Sequence, residues 1–221
     1  MLGMEPVVLV IIIATALISY KGFNDPQFFN KYMFSVGEIQ QRKEYFRLLS
    51  SGFLHADLMH IIFNLLTLYF FSGIVIHSFG TGGYLVIYLG SILVGNLFSL
   101  YIYKNQPNYR AIGASGGVSG ILFAAIAMNP FMEIGFIFIP IPIPGYIFGA
   151  LYFGYSVYMM LNPKQWDNLG HAAHLGGAVL GLLYALLIYP QHTFGHIFQL
   201  LIMSLPLIYL GARLLTKKEI R

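Results

Sequence analysis

The stretch 58-LMHIIFNLLTLYFFSGIVIHSFGTGGYLVIYLGSILVGNLFSLYIY-103 contains no Asp, Glu, Lys or Arg. A helix crosses a bilayer with roughly 20 apolar residues, so this run is long enough for two. Gly80, Gly82 and Gly83 mark the turn between them. Further charge-free runs cover Pro6–Tyr20, Ala111–Met132, Ile134–Pro163 and Asn168–Ala212, holding one, one, one and two helices. The breaks fall at Pro107 with Asn108, at Pro140, Pro142 and Pro144, at Asn162 with Pro163, and at Pro190. Seven spans follow: approximately 4–20, 58–78, 84–103, 115–130, 145–162, 171–189 and 196–213. The expected fold class is an all-α polytopic membrane protein, a six-helix bundle with an extra C-terminal helix.

Composition agrees. Of 221 residues, 57% are hydrophobic and 9% charged, whereas soluble domains carry about 25% charged residues. Most of the surface must face lipid. With no cysteine, disulfides and thiolate metal sites are excluded. The net charge of +4 does not gather into a basic cluster suited to nucleic acid. The first span lacks a basic start and a small-residue cleavage site, so it reads as an uncleaved helix. The polar stretch Lys21–Asp57 mixes charge with Phe23, Phe28, Phe29, Tyr32, Phe34, Tyr45 and Phe46. That mixture fits a structured loop in the membrane interface. The whole chain, 1–221, is expected to be one membrane-embedded domain.

Polar groups inside hydrocarbon are costly and point to function. His55, His60 and Asn64 open the second span, the last two on one helical face. Gly113-Ala114-Ser115-Gly116-Gly117-Val118-Ser119-Gly120 opens the fourth, and His171-Ala172-Ala173-His174-Leu175-Gly176-Gly177, continuing to Gly181, opens the sixth. His192 and His196 precede the seventh. Glycines four apart let membrane helices approach to backbone contact. Close packing of the fourth and sixth helices would bring Ser115 and His174 to one depth. A serine nucleophile needs a base within hydrogen-bond reach, and a helix N-terminus offers free N–H groups to an oxyanion. Asn64 and His60 could add donors.

These motifs resemble the rhomboid family of intramembrane serine proteases. Gly113-Ala114-Ser115-Gly116 is similar to its GxSG nucleophile motif, and Ala173-His174 with Gly177 and Gly181 to its AHxxGxxxG motif. His55, His60 and Asn64 match its HxxxxHxxxN pattern, and Phe46-Arg47 falls where rhomboids carry a Trp-Arg pair in the first loop. The resemblance implies a rhomboid-like bundle with Ser115 as nucleophile and His174 as general base, a Ser–His dyad without a carboxylate. It implies Asn64, His60 and the Ser115 amide as the oxyanion hole. His55, Arg47, Gly113, Gly116, Gly177 and Gly181 are implied in support. The substrates implied are transmembrane segments of single-pass or polytopic membrane proteins, cut without cofactor or metal. Asp167, seven residues before His174, is the nearest acidic neighbour in sequence.

Two residues depart from the family pattern. Phe46 keeps the aromatic character of the usual Trp. Ser119 stands where relatives often carry an aromatic under the catalytic histidine, which leaves the orientation of His174 to other residues. Charge placement also pulls against the family arrangement. Lys21, Lys31, Arg42, Lys43, Arg47, Lys104, Arg110 and Lys164 all fall in loops on the site's face. The positive-inside rule alone would make that face cytoplasmic, and the tail Arg213, Lys217, Lys218 and Arg221 bears on the same question. Following the family, the expected location is the cell (inner) membrane of a prokaryote, with the site opening to the outer face.

Three other readings compete. An inactive rhomboid-like factor that binds membrane proteins would lack Ser115 or His174. A transporter with helices broken near Pro140 and Pro206 would usually need an intramembrane carboxylate. A metal site could use His171 with His174, or His192 with His196, by spacing, but the glutamate of a HExxH motif is absent. On this reading His171 is a loop or interface histidine.

Overall fold

The computed structural model describes residues 5–136, 139–164, 167 and 169–216. The basic tail residues Lys217, Lys218 and Arg221 lie outside them. Helix α1 (Pro6–Asn24) begins with proline, whose missing N–H costs nothing in a first turn. It runs one turn beyond the expected span, through Lys21, whose ammonium lies 4.4 Å from the centre of the Phe28 ring. Asp25 caps α2 (Pro26–Tyr32), its Oδ1 accepting the Phe28 N–H at 2.9 Å. Strand β1 (Phe34–Ser35), helix α3 (Val36–Arg42), helix α4 (Arg47–Ser50) and a 3₁₀ turn at Ser51–Phe53 complete the first loop. Strand β1 pairs antiparallel with β2 (Arg110–Ala111), aligning Phe34 with Ala111. The first loop is thereby fastened to the segment leading into Ser115.

Arg47 organises this loop. It is only 5% exposed. Its Nη1 donates to the carbonyls of Asn30 and Met33, both at 2.8 Å, and its Nε and Nη2 reach Glu44 at 2.7 and 2.6 Å. Alanine there would leave two carbonyls and a carboxylate without their donor. We expect Arg47→Ala to destabilise the folded state by about 3 kcal/mol, read as a lower melting temperature in detergent.

Helix α5 (Leu58–Ile102) is two helical arms joined at Gly80, whose φ of 69° is the left-handed conformation that glycine adopts without strain. Helix α6 (Ser115–Met128) follows, then strands β3 (Glu133–Phe136) and β4 (Ile139–Pro144), helix α7 (Gly145–Leu161), α8 (His171–Ile188), α9 (Pro190–Gly195) and α10 (Ile197–Leu215). The helices match the seven expected spans, with Gly80 as the turn within the Leu58–Tyr103 run. The β3–β4 hairpin was not expected; Pro140, Pro142 and Pro144 read as breakers. A two-stranded ribbon has only edges, and proline is tolerated there because the N–H it lacks would face outward. Helices α1, α5, α8 and α10 are long and apolar enough to cross a membrane by length and composition. The chain is an all-α polytopic membrane fold.

Helix α6 lies at the centre. Its residues Gly116–Ala127 are all buried. With 14 residues it is about 21 Å long, short of the roughly 30 Å hydrocarbon thickness. A central helix that short must begin or end inside the membrane. Helix α8 crosses it at backbone contact: a Cβ on Gly177 would strike the Gly116 carbonyl, and one on Gly181 the Gly120 carbonyl. Gly117 faces elsewhere, with Tyr88 and Ile92 of α5 only 2.9 Å from a Cβ placed there. Gly95 of α5 backs onto the Ala173 carbonyl, and Ser91 Oγ donates to the Gly177 carbonyl at 3.1 Å. Helix α10 packs on α7, where Met203 fills the gap beside Gly149.

Candidate active site

Ser115 is the first residue of α6, and the glycine crossing carries His174 of α8 to it. Ser115 Oγ lies 2.6 Å from His174 Nε2. For the histidine to accept the hydroxyl proton at Nε2, its own proton must sit on Nδ1. Both residues are half-buried. The first amides of α6 have no carbonyl a turn behind them and point towards the same end as Ser115 Oγ.

The approach to Ser115 depends on Gly113. Its φ of 122° excludes other residues without strain, and its N–H donates to the Ser51 carbonyl at 3.0 Å. A Cβ at Gly113 would lie 2.8 Å from His60 Nε2 and 3.6 Å from Ser115 Oγ. The absent side chain therefore lets His60 Nε2 come closer to the turn before Ser115 than any side chain at 113 would permit. His60 Nδ1 accepts the Ala56 N–H at 3.4 Å, so a neutral ring carries its proton on Nε2, the atom that faces Gly113. Asp57 caps the helix that holds His60, its Oδ1 accepting the His60 N–H at 2.8 Å. Asn64, one turn on, is 7% exposed and gives one amide hydrogen to the His60 carbonyl at 2.9 Å. Its second amide hydrogen remains for another acceptor.

His55 lies beneath this floor, fully buried. Its Nδ1 is 2.9 Å from Ser19 Oγ, whose own proton goes to the Phe53 carbonyl at 2.8 Å, so Nδ1 is the donor. Its Nε2 then accepts the Ala114 N–H at 3.4 Å. One tautomer thus links α1, the first loop and the residue before Ser115. Burial, with the neighbouring His60 adding to it, pushes its pKa down to about 3, which keeps the ring neutral across the physiological range. Arg47 sits apart, within the first loop.

Ser119 bonds to Tyr152 of α7, with 2.8 Å between the two hydroxyl oxygens, and the Tyr152 ring lies 6.3 Å from the His174 ring at 31°. The aromatic missing at position 119 is thus replaced by a ring from α7. His171 is buried, not a loop or interface residue: it is 5% exposed and its Nε2 is 2.7 Å from Asp167 Oδ2. Tyr152 and the buried state of His171 were not legible as parts of the site. A hydroxyl pair 33 residues apart leaves no trace in local spacing.

A sequence profile of the rhomboid family, described as the Rhomboid domain, matches residues 42–191. The chain is 28% identical over 194 residues to "RHOMBOID-like protein 12, mitochondrial" of Arabidopsis thaliana, covering 80% of this chain and 56% of that protein. It is 27% identical over 160 residues to "Rhomboid protein 1, mitochondrial" of Saccharomyces cerevisiae, covering 72% and 45%. It is 30% identical over 152 residues to "Presenilin-associated rhomboid-like protein, mitochondrial" of Homo sapiens, covering 67% and 38%. The chain thus spans about half the length of these relatives, or less. These names correct the expected location: all three relatives are named as mitochondrial and come from eukaryotes, so the prokaryotic cell membrane is withdrawn. The profile covers more than half of the chain and every motif from His55 to Gly181: this chain belongs to the rhomboid family.

Proposed function

We propose that the protein is an intramembrane serine endopeptidase that cuts transmembrane segments of other membrane proteins. The observation that carries this reading is the 2.6 Å contact between Ser115 Oγ and His174 Nε2 at the start of the short central helix. Ser115 Oγ attacks the scissile carbonyl while His174 Nε2 takes its proton. The carbonyl oxygen, now negative, meets the Ser115 amide, with donors from His60 Nε2 and the second Asn64 hydrogen. The imidazolium returns the proton to the leaving amine, and water then hydrolyses the acyl-serine with His174 again as base. The bare backbone at Gly113 lets His60 Nε2 come close to the turn before the nucleophile, which supports its role as a donor.

A membrane helix hides its carbonyls in its own hydrogen bonds. Cleavage therefore requires local unwinding, and segments with Gly, Ala or Pro near the interface unwind at least cost. The mitochondrial names of the relatives support a mitochondrial membrane as the site of action. The test uses purified protein in lipid vesicles with a model transmembrane substrate. Wild type is expected to cut it, and Asn64→Ala to cut it 10- to 1000-fold more slowly, on the order of one lost oxyanion donor. No cleavage by wild type across substrates of varied Gly, Ala and Pro content would contradict the reading.

A further inference from the structure

We infer that Asp167 and His171 form a positioning pair for His174 and supply the negative charge that a bare Ser–His dyad lacks. The inference rests on the serine chemistry proposed above. His171 is the first residue of α8 and His174 stands three residues on, so both share one side of the helix. The two rings meet edge to face, 6.2 Å apart at 70°. Tyr155 of α7 holds the His171 ring from another side, 5.5 Å away at 71°. The far end of His171 is fixed by Asp167, with Nε2 to Oδ2 at 2.7 Å and each side chain 6% exposed. The other Asp167 oxygen accepts the Leu169 N–H at 3.1 Å.

A carboxylate shielded from water by its neighbours needs a reason to stay charged. Burial alone would raise its pKa, but the bonds from His171 and the Leu169 amide outweigh it and hold the carboxyl below its ordinary range. Beside the pair lies a cavity of about 200 Å³ lined by Tyr103, Gln106, Tyr109, Lys164, Asp167 and His171. With Nε2–H given to Asp167, His171 keeps Nδ1 as a buried acceptor, and that atom has no partner among the described residues. Such an unsatisfied group is a cost, of a kind kept more often at working sites than in inert cores.

The charge has a specific use. In the ground state His174 is neutral, and it becomes an imidazolium only as Ser115 gives up its proton. A fixed carboxylate one ring away lowers the energy of that transient cation more than that of the neutral ring, which is differential stabilisation of the transition state. Among the described residues, the other titratable or polar groups around His174 are His60 from α5, Ser115 and Ser119 from α6, and Tyr152 and Tyr155 from α7, with Lys164 on the cavity. None of these is an acid of carboxylate strength, and Asn168–Ala212 contains no Asp or Glu.

The experiment measures kcat and KM against pH for the full chain in vesicles with a transmembrane substrate. Asp167→Asn and His171→Gln are each expected to lower kcat roughly 10- to 100-fold with KM nearly unchanged. The acid limb of the kcat profile should move to lower pH by up to about one unit, since losing a nearby negative charge makes the imidazolium more acidic. Asp167→Glu should recover part of the rate. Melting temperatures in detergent identify a variant that fails to fold, and the other variant then carries the test. A kcat within twofold of wild type, or a loss of kcat with an unmoved acid limb, would overturn the inference. Ser115→Ala separates the two claims: if it cuts like wild type, the serine reading fails. If it is inactive while Asp167→Asn is unaffected, only the positioning pair fails.

Discussion

Replacing Ser115 with alanine is expected to lower the rate of substrate cleavage by on the order of 10⁴- to 10⁶-fold while leaving the fold intact. The substitution removes one hydroxyl and one hydrogen bond, that to His174 at 2.6 Å. No packing is lost, because the alanine methyl occupies the position of the serine Cβ. His174→Ala should cost a comparable factor, and the double variant little more than either alone, since a nucleophile without its base and a base without its nucleophile fail at the same step. Vesicle cleavage assays on the three variants check this. A double variant whose loss equals the product of the two single losses would mean the residues act separately.

The second large effect comes from a residue that touches no substrate. Gly177→Val should reduce activity by at least about 100-fold and lower stability by about 1–3 kcal/mol. Gly177 and Gly116 hold α8 and α6 at backbone contact, so any side chain at 177 runs into the Gly116 carbonyl. Relief requires the helices to part. His174 lies one turn before Gly177 on α8, and Ser115 adjoins Gly116 on α6, so parting the helices lengthens the Ser–His contact directly. Gly73→Ala is the control: a Cβ at Gly73 meets nothing within 4 Å, and the substitution should be neutral or slightly stabilising within α5. Equal behaviour of the two variants in activity and melting temperature would show that α6–α8 contact does not set the geometry.

That contact was legible in the sequence because membrane helices that meet backbone to backbone must omit side chains at regular positions. The pairs Gly116 with Gly120 and Gly177 with Gly181 record the omission, and the helix spans follow from charge-free runs in the same way. Spacing did not reveal which neighbour each glycine faces. Gly117 keeps the same interval from Gly113 but packs on α5, and Gly113 lies outside the helix altogether. The short helices of the first loop are also hidden: seven residues, as in α2 or α3, are too few to establish a period. The β3–β4 ribbon was masked by prolines that read as breaks.

The site divides along the same line. Ser115, His174, His60 and Asn64 stand near helix starts where polar residues interrupt apolar sequence, so a search for polar groups in hydrocarbon finds them. Tyr152 was not found because a tyrosine inside an apolar helix is unremarkable; only the fold brings it to Ser119 and His174. His171 was misread for a related reason. A histidine at a helix start is ordinarily wet, and its burial depends on the loop that folds Asp167 back onto it. The location was misjudged because nothing in the residues of a membrane bundle distinguishes one membrane from another.

The most direct test of the serine chemistry is capture of the nucleophile itself. The purified protein, treated with a fluorophosphonate and digested, is expected to give one phosphonylated peptide by mass spectrometry, modified at Ser115. His174→Ala should slow that capture by orders of magnitude, since the hydroxyl then has no base. A protein that stays unlabelled, or carries the label on Ser119 or elsewhere while Ser115 remains free, would contradict the account.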